Sequence, residues 1–262
     1  MKSMKAAFIA ECLKLHRSKI FLITALLFMF IPFMMSLLFF VQKHPEIAVK
    51  LGMIGTKASM LRLGKADWAA YLGFLSQGIA GIGLIGFGFV TSWVFGREYS
   101  DHTVKDILAL PVSRYLIVLA KFIVIVLWCL LLIVIFFAFG IIIGQLIGIP
   151  GWSGEIVKQF VYTYAVTSLL TLLLCTPVAF FASYSRGYLL PMGFVILTLL
   201  IANFTGFVGL GPYFPWAIPG LFSAPQGTEG TQLVLSSYLI VAFTCVVGFA
   251  GTIAWWRFAD QK

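Results

Sequence analysis

What this 262-residue chain lacks above all is charge: Asp, Glu, Lys and Arg make up 10% of it, against 61% hydrophobic residues. A soluble domain typically carries about 25% charged residues. A compact chain still exposes a large share of its surface, so no soluble fold of this size could hide so much apolar area. An ordinary soluble enzyme is excluded, and lipid must be the solvent for much of the chain. Other absences narrow the classes further. The four cysteines, Cys12, Cys129, Cys175 and Cys245, are far apart with no C-x-x-C spacing, which argues against a disulfide framework or a cysteine metal site. His16, His44 and His102 are equally scattered. There is no H-E-x-x-H, no G-x-S-x-G and no carboxylate pair inside a hydrophobic run, so the convergent groups of a membrane enzyme are missing. No G-x-x-x-x-G-K-[ST] occurs, so this chain binds no ATP through a P-loop, and no cofactor is expected on it.

What is present is long apolar runs. Six are long enough to cross a bilayer, which takes about 20 residues: 20–41, 70–95, 122–149, 160–183, 189–210 and 233–256. An isolated span must satisfy its own backbone in lipid, so each is read as a helix. The first run follows a basic stretch but is too long for a signal peptide and has no A-x-A site, so it is read as a retained span. The expected fold is an all-α integral membrane protein of one transmembrane domain, with residues 1–19 as an interfacial helix. Six spans put both termini on one side. With the termini inside, 12 of the 18 Lys and Arg residues fall on inner segments and 6 on outer ones, the bias expected of a chain with a cytoplasmic N- and C-terminus in the cell membrane. The net charge of +9 is thus accounted for by topology and lipid contact, and nucleic acid is not an expected partner. Within these limits the spans hold no ionisable residue; Gln77, Gln145 and Asn203 are their most polar members. Ion- or proton-coupled transport usually needs an ionisable group at membrane depth, so an energy source outside the spans is expected.

Small residues recur at four-residue spacing: Gly88, Ser92 and Gly96 in the second run, Gly140, Gly144 and Gly148 in the third. Such spacing clears one helix face for close packing, either within the chain or against a second subunit. "GIGLIG" (Gly81–Gly86) matches the dinucleotide fingerprint, but that motif works only between a strand and a helix; here it lies in a span. "NFT" at Asn203 is likewise a match buried in a span.

The connecting segments carry the remaining information. Near the N-terminus Met4, Phe8, Cys12 and Leu15 recur at roughly helical spacing, with Lys2, Lys5, Lys14 and Arg17 mostly on other faces. This suits a helix lying on the inner leaflet, or equally a plain basic anchor. Between the second and third runs, Arg97, Glu98, Asp101, Lys105, Asp106, Arg114 and Lys121 crowd into one stretch. Thr103 and Asp106 form a T-x-x-D cap, Val104, Ile107 and Leu108 share a face, and Pro111 stops the helix. The spacing predicts a short amphipathic helix just outside the membrane, a docking surface rather than a plain loop. The outer segment Gly209–Gln232 holds four prolines and four aromatics and is read as a re-entrant or interfacial element. Residues 42–69 read as a basic, solvated outer loop.

On these residues the chain resembles the ABC-2 type permeases, the membrane subunits of ATP-binding-cassette exporters, and most of all the small permeases of bacitracin- and lantibiotic-type export or immunity systems. The likeness rests on "AECLKLHRSKIFLI", on "YFPWAIPGLF", and above all on Glu98, Thr103, Leu108, Leu110, Pro111, Val112, Ser113, Arg114 and Lys121. Where the family commonly has a glycine before the threonine, this chain has His102. The resemblance implies two permease subunits, alike or different, working with two ABC ATPase subunits that bind ATP and Mg. It implies that Asp101–Leu110 is a coupling helix with Leu108 and Leu110 as apolar anchors, braced by Glu98 and Arg114. The function it implies is ATP-driven export of a hydrophobic or amphipathic substrate, such as a peptide antibiotic or drug. An ATP-independent secondary transporter or channel is the alternative.

Overall fold

The computed structural model describes residues 2–16, 18–44, 67–101, 103, 112–224 and 233–258. They form helices α1 (Lys2–His16), α2 (Lys19–Lys43), α3 (Trp68–Ser100), α4 (Arg114–Ile147), α5 (Gly154–Leu173), α6 (Thr176–Ser185), α7 (Leu189–Phe207), α8 (Ile218–Ser223) and α9 (Leu235–Phe258). No strand occurs among the described residues. Six helical stretches are long and apolar enough to cross a membrane: α2, α3, α4, α5 with α6, α7 and α9. This is the all-helical, six-span fold expected from the sequence.

Three spans are markedly longer than the apolar runs suggested, α5 with α6 at 32 residues among them, and two of the three are unbroken helices. α3 has 33 residues and α4 has 34, each about 50 Å at 1.5 Å per residue. The hydrocarbon layer is about 30 Å thick, so the ends project well beyond it. The helices therefore run through the charged turns at 96–100 and 114–121, where hydropathy alone stopped them. The absence of ionisable groups holds for the apolar runs but not for the helices, which carry Arg97, Glu98, Arg114 and Lys121.

α3 is the axis of the bundle. Of its most apolar stretch 72% is buried, against 22% for α7 and α9, whose outer faces are left to lipid. α1 and α2 pack on α4, α6 packs on α9 and α3, and α5 packs on α3. Tyr71, fully buried, ties three helices: its hydroxyl donates to the Gly140 carbonyl at 2.7 Å and lies 2.7 Å from Ser36 Oγ. Tyr71→Phe removes both side-chain bonds but leaves the Gly140 carbonyl its helical donor and Ser36 its bond to Pro32, so it should lower stability by about 0.5–1.5 kcal/mol, read as a fall in the melting temperature of the purified protein.

The patterned glycines sit where segments of the same chain meet. A Cβ on Gly140 would lie 2.7 Å from Leu75 Cδ1, and one on Gly144 2.8 Å from the Trp68 and Tyr71 rings. On Gly88 it would meet Val195 of α7 at 2.7 Å, and on Gly96 the Gly187 carbonyl oxygen at 3.0 Å. Ser92, buried between them, donates to the Gly88 carbonyl. Gly148 differs: it ends α4 at φ 65°, a left-handed cap that glycine adopts without steric cost. Gly144→Leu should cost about 1–3 kcal/mol through overpacking against α3, again visible as a lower melting temperature.

The chain turns between α5 and α6 at Leu174 and Cys175, just before Pro177, which has no N–H to continue the helical ladder. In α3 the glycine-rich Ile79–Gly83 forms a π turn, so the dinucleotide-like motif is helical from end to end. After α7 the chain folds back through two 3₁₀ turns, Gly211–Tyr213 and Pro215–Ala217, into α8. The Trp216 ring lies 5.3 Å from that of Phe194, about 20 Å along α7 from Phe207. Ile218 is fully buried in a cluster with Leu84, Val178, Val195 and Val241. Within 209–224 the chain thus doubles back against the bundle, and it is in this sense that the segment is called re-entrant.

Candidate coupling site

At one end of the bundle α1, the end of α3, the start of α4 and the end of α9 converge. Four charged side chains meet there. Glu98 Oε1 accepts from Lys121 Nζ at 2.7 Å and from Lys14 Nζ at 2.8 Å. Lys14 also donates to Glu11, and Lys121 Nζ lies 3.6 Å from Glu11 Oε2. Lys121 is 0% exposed, Glu98 2% and Glu11 8%. Two ammonium groups and two carboxylates make the quartet formally neutral, which is the condition for burying charge without a large desolvation penalty.

Three helices supply the quartet: α1 gives Glu11 and Lys14, α3 gives Glu98 and α4 gives Lys121. Lys121 donates in addition to the Val94 carbonyl at 2.9 Å and faces the rings of Phe95 and Trp256 at 5.7 and 5.9 Å. Trp256 is fixed by its indole N–H on Ser183 Oγ at 2.9 Å. Lys14 sits on α1, outside the spans. Burial by itself pulls its ammonium down, but the carboxylates of Glu98 and Glu11 outweigh that and hold it above its ordinary value. Glu98 Oε2 is buried and accepts no hydrogen bond from the described residues.

The described ends of the segment singled out in the sequence are tied at or beside this quartet. α3 ends at Ser100; Asp101 caps it, exposed and paired with Arg97 at 3.4 Å, and the Thr103 N–H donates to the Glu98 carbonyl at 3.0 Å. Arg97 also donates to the Lys14 carbonyl at 3.3 Å and lies 4.9 Å from the Trp93 ring. On the return side Ser113 precedes α4, and Arg114 Nη1 donates to the Trp256 carbonyl at 3.3 Å near the end of α9. His102, Asp106, Leu108, Leu110 and Pro111 lie outside the described residues, and with them the body of the expected coupling helix.

Sequence reasoning named Glu98 and Arg114 but did not weigh Glu11 or Trp256. It placed Lys14 on a polar face of the first helix, whereas the structure turns Lys14 inward beside Glu11 and leaves Ile9 and Leu13 half exposed. Glu11 and Lys14 are 3 residues apart and Glu98 is 84 beyond Lys14. The available signal was a carboxylate amid the apolar positions of a basic helix.

The family model described as "ABC-2 family transporter protein" matches residues 7–204. That range includes the whole quartet and Arg114, and it ends before the re-entrant segment. Bacitracin transport permease protein BCRB of Bacillus licheniformis is 25% identical over 180 residues, covering 68% of this chain and 86% of that protein. The uncharacterized protein YhcI of Bacillus subtilis (strain 168) is 26% identical over 164 residues, 55% of this chain and 52% of that protein. No solved structure matches.

Proposed function

Because the chain belongs to the ABC-2 family of transporter proteins, we propose that it is the membrane-spanning permease subunit of an ATP-driven exporter. Segment 101–110 is the docking element for a separate ABC ATPase, and Glu98 and Arg114 brace it. The observation that carries this reading is the clamping of both stems. The outgoing stem is tied through Glu98 to α1 and α4, and the returning stem through Arg114 to α9. A displacement applied to the segment is thereby delivered to four helices at once. In this reading the partner binds the ATP and Mg, and the lack of a P-loop in this sequence supports that division.

In this reading two ATPase chains serve two permease chains in the bacterial cell membrane, with this chain's termini on the ATPase side. The cargo is hydrophobic or amphipathic. The relative from Bacillus licheniformis is named for bacitracin transport, which makes a peptide antibiotic the first cargo to assay. The test is reconstitution of the chain with its genomically adjacent ATPase in liposomes. ATP is expected to drive bacitracin movement and cargo to stimulate hydrolysis. Movement by the permease alone under an ion gradient, unaffected by ATP, would instead establish the secondary-transporter reading.

A further inference from the structure

Two cavities flank the re-entrant segment, and Trp216 belongs to the walls of both. The first, about 320 Å³, lies among α3, α7 and α8 and is lined by Gln77, Gly81, Asn203 and Gly206. Gln77 and Asn203 are two of the three most polar side chains in the apolar runs, and the fold brings them to one chamber. Asn203 donates its amide to the Leu199 carbonyl of its own helix at 2.8 Å, which leaves its side-chain oxygen for another donor. The wall at Gly81 belongs to the π turn of α3, and a Cβ there would meet nothing within 4 Å. Turns of this kind recur at functional sites.

The second cavity, about 440 Å³, lies among α6, α7 and α9 and is lined by Phe180, Phe181, Phe194, Phe243 and Gly251. Among the described residues, no charged side chain lines either cavity. Trp216 Nε1 is buried and has no acceptor among the described residues. Such a donor is rare, because it has given up water with nothing in return. A pocket that is mostly apolar and aromatic, with a few polar groups converging beside it, is the usual form of a small-molecule site.

We infer that the two chambers form one binding site for an uncharged amphiphile. Its apolar chain occupies the aromatic chamber, and its hydroxyl- or amide-bearing head lies against Gln77 and Asn203. Trp216 lies in the wall that the two share. As a statement about cargo this rests on the permease reading; as a statement about binding it does not.

The probe is an alkyl maltoside with a diazirine at the chain terminus, photolysed with the purified full-length chain in phosphatidylcholine nanodiscs and mapped by mass spectrometry. Label is expected on Phe180, Phe181 or Phe194. Unlabelled dodecyl maltoside should compete strongly, and dodecyl sulfate or dodecyltrimethylammonium weakly. Gly251→Leu, which fills the aromatic chamber, should abolish the label. The paired change Gln77→Leu and Asn203→Leu should keep the label but remove the preference for maltoside. Even labelling of outward residues such as Leu239 and Val246, indifferent to Gly251→Leu, overturns the site. So does equal labelling by a diazirine phosphatidylcholine, which would make the chamber an ordinary lipid seat. An unchanged headgroup preference in the paired variant overturns the assignment of Gln77 and Asn203. Co-purification of the ATPase is scored separately, so failure of the permease reading and failure of this site are distinguishable.

Discussion

Glu98→Leu is expected to destabilise the purified protein by about 3–5 kcal/mol, the cost of breaking a buried ion pair from one side. The variant leaves Lys121, which is 0% exposed, with the Val94 carbonyl and a carboxylate 3.6 Å away. It also leaves two ammonium groups against one carboxylate. Lys121→Met should cost less, because Glu98 keeps Lys14 at 2.8 Å. The double variant Glu98→Leu/Lys121→Met should recover to within about 1–2 kcal/mol of the parent, since a buried pair replaced by apolar groups is often near neutral. The remaining Glu11 and Lys14 still pair and still sum to zero. Melting of the four proteins in one detergent checks the order. If the double variant is no more stable than Glu98→Leu, the quartet does not divide into two neutral pairs as drawn.

The six spans were legible because lipid imposes a length and a composition, and both are written locally in the chain. The quartet was not legible as a quartet. Glu98 and Lys121 lie in turns that leave the hydrocarbon, so hydropathy assigns them to a loop although their helices continue. Glu11 and Lys14 lie on a helix whose apolar spacing says nothing about which polar side chain turns inward. What decides it is pairing: Glu11 and Lys14 can be buried because Lys121 and Glu98 await them on α4 and α3, and that is a property of the packed bundle. The glycines were legible as a packing face but not as to partner, and Gly148 shows that equal spacing does not mean equal duty. Likewise Gln77 and Asn203 stood out as polar, but only the fold places them in one chamber.

The quartet and the proposed docking segment should be separable by mutation, and this is the sharper test of coupling. Leu108→Asp together with Leu110→Asp is expected to leave the melting temperature nearly unchanged, since the hydrogen bonds of Glu98, Lys121 and Arg114 among the described residues are made to other groups. Each apolar anchor lost from an interface removes about 2 kcal/mol of burial, so the pair removes about 4 kcal/mol, or roughly a thousandfold in affinity for the ATPase. Co-purification should fail, and cargo-stimulated hydrolysis should fall to the level of the ATPase alone. Glu98→Leu should show the opposite balance: a large loss of stability, with ATPase affinity reduced only as far as the stems loosen. A double aspartate variant that still binds and couples would move the docking surface off segment 101–110. An aspartate variant that melts as early as Glu98→Leu would instead make that segment part of the packed bundle, with the quartet and the docking element one structural unit rather than clamp and lever.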